Sequence, residues 1–147
     1  MYLLDTNHCF RLIARDPRIV ERVESLWSAR IVTAVTVVGE LRYGASISDR
    51  KHENTTAVST FLDGIAHLPI TTAVAEHYGA LKAAILERFG PRDRTRRRQF
   101  KPSKPGFDDN DLWIASGALD AKLTLVSSDG DFTRIAEVSD LSVETWI

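Results

Sequence analysis

Acidic residues stand at four widely separated places in the sequence, each close behind a short apolar run. They are Asp5, Glu40, Asp111, and the pair Asp129 and Asp131. If the fold brings them together, their charges repel, and some of them must take up protons unless a cation is present. A divalent cation removes this conflict, and an all-oxygen ligand set suits Mg²⁺ or Mn²⁺. Such a cluster is typical of enzymes that hydrolyse phosphodiester bonds with the help of metal ions.

Other metal-binding or nucleophilic chemistry has little support in the sequence. The four histidines are scattered and show no spacing that is typical of a zinc site. Cys9 is the single cysteine, so an intrachain disulfide is excluded. We expect Cys9 to be a small core residue rather than a nucleophile, because no set of cysteine, histidine and acid is evident around it.

Alternating strand and helix patterns explain why the acids should meet. Apolar and β-branched runs predict strands over 2–4, 31–35, 67–70, 123–126 and 141–145. Helical spacing of apolar residues predicts helices over about 10–13, 19–27, 36–45, 54–66, 74–89 and 111–121. Together these elements predict an α/β domain with a mainly parallel sheet and helices on both faces. Ligands of such sheets bind beyond the carboxyl ends of the strands, which is where the acids should lie.

Two residues refine this prediction, and one segment cannot be assigned to a helix or a strand. Pro69 cannot donate a hydrogen bond to a neighbouring strand, so we expect the strand over 67–70 at an edge of the sheet. Asn110 is a predicted N-cap for the helix over 111–121. The stretch of about 91–107 fits neither helix nor strand.

Each acid also has a purely structural interpretation. Asp5 would then only cap the helix that follows it, and Glu40 would pair with a lysine or arginine on a helix face. Asp111 would complement the helix dipole, and Asp129 and Asp131 would belong to a turn around a glycine. Taken one at a time these signals are weak, and the functional interpretation depends on their convergence at one rim.

Length and composition are those of one globular domain spanning residues 1–147. The chain is 44% hydrophobic and 27% charged, with a net charge of −1. No apolar run approaches the roughly 20 residues that a membrane-spanning helix needs. The N-terminal apolar run ends at Asp5, which leaves no room for a signal-peptide core. We therefore expect a cytoplasmic protein without a membrane segment.

Four motifs resemble those of PIN domains. They are LLDTN at 3–7, VVGELRYGA at 37–45, NDLWIAS at 110–116 and LVSSDGDF at 125–132. Their order and spacing, together with Trp146 near the end, resemble the VapC-type toxins of bacterial toxin–antitoxin modules. D-T-N alone is a weak signal, whereas four acidic motifs in order within one domain are a strong one.

This resemblance implies a three-layer α/β/α sandwich and a metal-dependent endoribonuclease that uses Mg²⁺ or Mn²⁺. The implied catalytic and metal-binding carboxylates are Asp5, Glu40, Asp111 and Asp129, with Asp131 as a possible fifth ligand. It also implies that Thr6, Asn7 and either Ser127 or Ser128 lie beside the metal and bind the substrate. Of the two serines, Ser128 is the predicted substrate contact.

The same resemblance implies a set of partners. These are an RNA substrate of open identity, a VapB-like antitoxin, a second copy of the toxin in a homodimer, and promoter DNA bound only through the antitoxin. The alternative is a PIN-like module that binds RNA or a protein partner without catalysis. The intact acidic set argues against this alternative, because a protein that only binds a polyanion has no use for clustered anions.

One segment departs from the family pattern, and we call residues 91–106 the basic insertion. It holds five arginines, two lysines and one aspartate, a net charge of +6, so the rest of the chain carries −7. We predict that it binds the RNA backbone, chiefly through Arg96, Arg97 and Arg98, with Phe100 available for base stacking. It could instead be a solvated surface loop, or an autoinhibitory segment that places an arginine among the carboxylates.

Overall fold

The computed structural model describes residues 1–26, 30–101 and 106–147. Within these ranges, strands form one sheet with the order β3-β2-β1-β4-β5. The strands are β1 (Tyr2–Leu4), β2 (Ile31–Ala34), β3 (Ala66–Leu68), β4 (Thr124–Val126) and β5 (Ser142–Glu144). All neighbouring pairs among them are parallel, and β1 lies at the centre, with Leu3 opposite Val32 on one side and Leu125 on the other. The predicted parallel sheet is confirmed, and Pro69 follows an edge strand as expected.

The helices connect these strands. They are α1 (Thr6–Ile13), α2 (Pro17–Ser25), α3 (Val35–Ile47), α4 (Lys51–Asp63), α5 (Thr72–Phe89), α6 (Arg94–Arg98), α7 (Asp109–Asp120) and α8 (Gly130–Ala136). From β1 to β3 the chain moves in one direction across the sheet, and from β3 to β5 it moves in the other. Right-handed crossovers therefore place α1–α4 on one face and α5–α8 on the opposite face. No helix in the described ranges is long and apolar enough to cross a membrane.

The reversal of direction creates the place where a site can form. β1 and β4 are adjacent, yet the connections that leave their carboxyl ends run to opposite faces of the sheet. The ends therefore diverge and leave a crevice, which is the usual ligand position in open parallel sheets. Asp5 follows β1, and Ser127 and Asp129 follow β4, and of these Asp5 and Asp129 line the crevice.

The core confirms the packing role predicted for Cys9, and two tryptophans make aromatic contacts. Cys9 is fully buried, and its Sγ lies 3.6 Å from the Thr33 hydroxyl, which fits a packing role. Trp146 is 9% exposed and meets Tyr2 edge to face at 5.2 Å between ring centroids. Trp113 is half-buried and stacks on Tyr78 at 3.8 Å, where α7 packs against α5.

Some predicted boundaries were wrong. α7 begins at Asp109 and is capped by Asp108, whose carboxylate accepts a hydrogen bond from the Asn110 backbone N–H, so Asn110 is not the N-cap. Asp129 caps α8, which was predicted only as a turn. The basic insertion contains the short helix α6, capped by Asp93. Trp27, at the end of the predicted helix over 19–27, and Lys104 of the basic insertion lie outside the described residues.

Candidate metal centre

A cleft of about 520 Å³ opens at the carboxyl ends of β1 and β4. The carboxylates that line it in the described chain are Asp5, Glu40, Asp108, Asp111, Asp129 and Asp131. No lysine or arginine among the described residues lines it. The fold thus brings all five predicted acids to one cleft, together with Asp108. An arginine of the basic insertion does not occupy the carboxylate cluster in the described part of the chain.

Asp5 is buried and held on both of its oxygens. Its Oδ1 accepts a 2.7 Å hydrogen bond from the His8 backbone N–H, which caps α1, and lies 2.9 Å from His8 Nδ1. Its Oδ2 accepts a 2.5 Å hydrogen bond from the Ser127 hydroxyl, which in turn accepts one from the Asp129 backbone N–H at 3.0 Å. Asp5 therefore does cap a helix, as one interpretation held, but it also joins the ends of β1 and β4.

Glu40 is fixed by neutral donors rather than by a cation. The Thr6 hydroxyl donates to its Oε2, and the Asn110 amide donates to its Oε1 at 2.8 Å. Among the described residues, Glu40 forms no ion pair, so the alternative of a helix-face salt bridge is not what the structure shows. These two contacts tie α3 to α1 and α7 across the mouth of the cleft.

The first turn of α7 separates three aspartates by helical geometry. Asp108 and Asp111 are three residues apart and share the side of the helix that faces the cleft. Asp109 lies away from it, where its Oδ1 accepts hydrogen bonds from the Tyr78 hydroxyl at 2.6 Å and from Lys82 at 2.9 Å. These two partners hold the pKa of Asp109 below its usual value. The neighbouring acids therefore have different surroundings.

The pKa of Asp111 shows the effect of crowding among these carboxyl groups. Burial, together with the negative charges of Asp129, Asp108, Glu40 and Asp131 in that order of influence, raises its pKa to about 7. A carboxyl group with such surroundings keeps its proton well above the usual range unless a cation replaces it. This is the electrostatic signature that was expected for clustered carboxylates.

Asp129 and Asp131 differ in their partners. Asp129 Oδ1 accepts a 2.9 Å hydrogen bond from the Asp131 backbone N–H, which caps α8. Asp131 Oδ1 lies 3.0 Å from Arg134 Nη1 in an ion pair. Asp129 has the larger effect on the pKa of Asp111. Of the two, Asp129 therefore acts more strongly on Asp111.

The predicted substrate contacts are divided between two places. Thr6 and Asn7 line the cleft. Ser128 is exposed and lines a neighbouring groove of about 580 Å³, whereas Ser127 is buried against Asp5. The two surfaces meet at Asp129, which lines both. The structure therefore gives the two serines different positions, with Ser127 inside the site and Ser128 at its margin.

The predicted arginines lie on α6, outside the carboxylate cleft. Arg96 and Arg98 are exposed, and Arg97 is half-buried because its Nε donates to the Pro91 carbonyl at 2.8 Å. The basic insertion rejoins the fold at Phe107, directly before Asp108 of the cleft. Its positive charges are thus connected to the rim without being mixed with the carboxylates.

Sequence reasoning missed two residues that shape the site. His8 is fully buried against Asp5, and its Nε2 has no hydrogen-bond partner among the described residues. Asn110 holds Glu40 although it was predicted only as a helix cap. The signal for His8 was its position three residues after Asp5, which is where an N-cap acid accepts its hydrogen bond. No comparable local signal pointed to Asn110.

The donor set suits a hard divalent cation. It consists of carboxylate oxygens alone, which is the ligand type that Mg²⁺ and Mn²⁺ prefer. As they stand, no three acidic, histidine or cysteine side chains of the described residues converge closely enough to enclose an ion. The carboxylates of Asp5 and Glu40 are instead satisfied by hydrogen bonds. The residues therefore fit a metal in type and place.

The fold and the cleft agree with what comparison with known proteins shows. The model of the PIN domain family matches residues 2–138, and the chain belongs to this family. The resemblance seen in the four sequence motifs is thereby confirmed.

Within the family, the chain is similar to several individual proteins. The chain is 30% identical over 150 residues to Ribonuclease VapC2 of Haemophilus influenzae, with 99% of this chain and 98% of the relative covered. It is 29% identical over 149 residues to Ribonuclease VapC2 of Rickettsia felis, with the same coverage. Among solved structures, it is similar to VapBC2 from Rickettsia felis bound to a promoter DNA fragment, with a TM-score of 0.79, 26% identity, and 99% and 98% of the two chains covered. DNA-bound VapBC from Salmonella typhimurium has a TM-score of 0.76 at the same identity and coverage.

Proposed function

We propose that this chain is a divalent-metal-dependent endoribonuclease, the toxin of a type II toxin–antitoxin pair of the VapBC kind. The observation that carries the proposal is the gathering of all five predicted acids in one cleft, at the reversal point of the sheet. The raised pKa of Asp111 supports it, because carboxylates crowded to this degree call for a counter-cation. The names of the relatives, which are ribonucleases, support the choice of substrate.

The proposed metal ligands are Asp5, Glu40, Asp111 and Asp129, with Asp131 as the outer acid. Mg²⁺ or Mn²⁺ bound there supplies a Lewis acid that activates water and offsets the charge developing on the phosphate. Ser127 and His8 hold Asp5 in place, so its carboxylate is preorganised. Residues that orient metal ligands in this way usually matter nearly as much as the ligands themselves.

The remaining groups are assigned to the substrate. Thr6 and Asn7 line the cleft beside the acids, and Ser128 lies at its margin, where hydroxyl and amide groups can hydrogen-bond a phosphate or ribose. The exposed arginines of α6, together with Arg97, bind the RNA backbone beyond the cleft. We take residues 1–147 as a single PIN domain whose basic insertion, residues 91–106, extends the substrate surface.

The proposed partners follow from the relatives that were solved as complexes. VapBC from Rickettsia felis and from Salmonella typhimurium was solved bound to DNA, and a further similar structure, VapBC-5 from Mycobacterium tuberculosis, is of the VapBC family of toxin–antitoxin systems. For this chain we propose a VapB-like antitoxin, a homodimeric toxin, and promoter DNA bound only through the antitoxin.

RNA cleavage by partner-free protein tests the activity. Total RNA is incubated with the wild type in Mn²⁺ or in chelator, beside Asp111→Asn and Asp109→Asn. We expect cleavage by the wild type and by Asp109→Asn in Mn²⁺ only, because Asp109 lies away from the cleft, and none by Asp111→Asn. Equal cleavage by wild type and Asp111→Asn would refute the proposed site.

A binding module without catalysis is the second candidate. It is favoured by one observation, which is that no three candidate ligands of the described residues yet converge on a point. Under this alternative, the wild type shifts the mobility of RNA while leaving it intact at any Mn²⁺ concentration. RNA that is both bound and cut excludes it.

A further inference from the structure

Arg134 of α8 lies between the two ends of the basic insertion. Its guanidinium carbon is 4.3 Å from the ring centroid of Phe107 and 5.1 Å from that of Phe89. Phe89 is the last residue of α5 before the insertion, and Phe107 is the first residue after it. The two residues that flank the basic insertion therefore both contact the Arg134 guanidinium.

The two rings also contact each other, so the insertion leaves and re-enters the fold at one point. The centroids of Phe89 and Phe107 are 5.4 Å apart, and Phe107 is 1% exposed. Gly106 has a φ of 94°, a left-handed conformation that favours glycine, and a Cβ built there would lie 3.8 Å from Arg134 Nη1. The end of the insertion thus passes beside this guanidinium at ordinary van der Waals distance.

The same guanidinium reaches the carboxylate cleft. Arg134 Nη1 lies 3.0 Å from Asp131 Oδ1, and the two side chains are 34% and 25% exposed. Asp131 lines the cleft that holds the proposed metal ligands. One side chain therefore contacts a rim acid and both ends of the only strongly basic stretch of the sequence.

We propose that Arg134 is a positioning residue that fixes the basic insertion in register with the carboxylate cleft. This inference rests on the proposed function, since it concerns how RNA held by the insertion is presented to the cleft. The flat guanidinium is required, because it lies over the faces of two adjoining aromatic rings while its Nη1 donates to Asp131. Lysine keeps the charge but cannot stack as a plane.

The first test measures the position of the insertion without RNA or metal. Trypsin is added in chelator, and cuts after the basic residues of 92–101 are followed by mass spectrometry. We expect Arg134→Met and Arg134→Lys to be cut there about tenfold faster than the wild type, because stacking on two rings is lost. The matched control is Arg88→Met, since the Arg88 guanidinium carbon lies 5.4 Å from the Phe89 ring centroid but Arg88 pairs with Glu137 and, among the described residues, with no cleft acid.

The second test measures coupling in RNA binding, in chelator so that cleavage is absent. Replacing Arg96 and Arg98 by alanine should weaken binding about tenfold in the wild type, and hardly at all in Arg134→Met. Such non-additivity separates positioning from direct contact, because an arginine that only binds phosphate would contribute independently. Thermal unfolding of each variant confirms that it is folded.

The outcomes distinguish this inference from the function beneath it. Equal trypsin rates in Arg134→Met, Arg134→Lys and Arg88→Met would overturn the positioning role of Arg134. Additive effects on RNA binding would overturn it as well. If the wild type neither binds nor cleaves RNA, the proposed function fails. Faster proteolysis of both Arg134 variants would still establish that Arg134 positions the basic insertion.

Discussion

The Ser127 hydroxyl donates a 2.5 Å hydrogen bond to Asp5 Oδ2, although the two residues are 122 positions apart in the chain. Both side chains are buried, and each follows one of the two central strands. The bond therefore spans the point where the sheet reverses direction, beside the carboxylate cleft that Asp5 lines. Ser127 also accepts from the Asp129 backbone N–H, so one hydroxyl links two of the proposed metal ligands.

Ser127→Ala tests this link. The substitution leaves Oδ2 of the buried Asp5 carboxylate without its donor, which should lower the free energy of unfolding by about 2 kcal/mol. RNA cleavage should fall about tenfold, as is usual when a group that orients a metal ligand is removed. Urea denaturation and cleavage rates measure the two effects. The neighbouring Ser128→Ala is the comparison, and a larger loss there would mean that the wrong serine has been placed at the site.

The orientation of Glu40 gives a second prediction. Thr6 and Asn110 each donate to one of its oxygens, so removing either donor should let the carboxylate turn away. We expect Thr6→Val and Asn110→Leu each to weaken Mn²⁺ binding about tenfold, measured by calorimetry. Thr6→Ser keeps the hydroxyl and should retain wild-type affinity. If Thr6→Ser and Thr6→Val behave alike, the hydroxyl is not what matters.

The raised pKa of Asp111 predicts a stability that depends on pH in the metal-free protein. Its pKa is about 7 in the folded chain, above the ordinary value of 3.8. As the pH rises through this window the unfolded chain releases its proton first, so the contribution to stability is present below it and lost by pH 8. Asp111→Asn has no proton to lose and should be more stable than the wild type at pH 8 by about 1 to 2 kcal/mol, allowing for partial exposure.

Urea denaturation in chelator at pH 4 and pH 8 measures this effect. The advantage of Asp111→Asn should be present at pH 8 and absent at pH 4. An advantage of the same size at both pH values would show that charge crowding is not its cause.

Cys9 gives a prediction about reactivity. Burial raises the pKa of its thiol to about 12, so the thiolate that reacts with disulfide reagents is scarce at pH 8. We expect negligible labelling of the folded protein and one thiol labelled per chain in denaturant. Rapid labelling of the folded state would contradict the buried position of Cys9 behind β2.

The sequence was sufficient to predict the sheet and the acids that follow its strands. Short apolar runs that end at Asp5 and Asp129 mark strand ends, and parallel strands send such residues to one edge. α8 was missed because Asp129-Gly130-Asp131 has the composition of a turn, and only packing of Phe132 and Ile135 in the core shows that the chain continues as a helix.

Hydrogen-bond partners were harder to predict than positions. In the run Asp108 to Asp111 each residue can cap a helix, and the choice depends on which face of α7 is buried. That choice also decides that Asp111 faces the cleft and Asp109 faces Lys82. The bond from Asn110 to Glu40 joins residues 70 positions apart, so no local pattern could reveal it.

Metal binding by the RNA-free protein tests the central claim, that the carboxylate cleft is one divalent-cation site. Mn²⁺ affinity is measured by calorimetry and by the shift in thermal unfolding for the wild type, Asp111→Asn and Asp109→Asn. The two aspartates are close in sequence and on different sides of α7, so they form a matched pair. We predict equal affinity for the wild type and Asp109→Asn, and affinity at least about tenfold weaker for Asp111→Asn. Equal binding by all three proteins, or by none, would contradict the account.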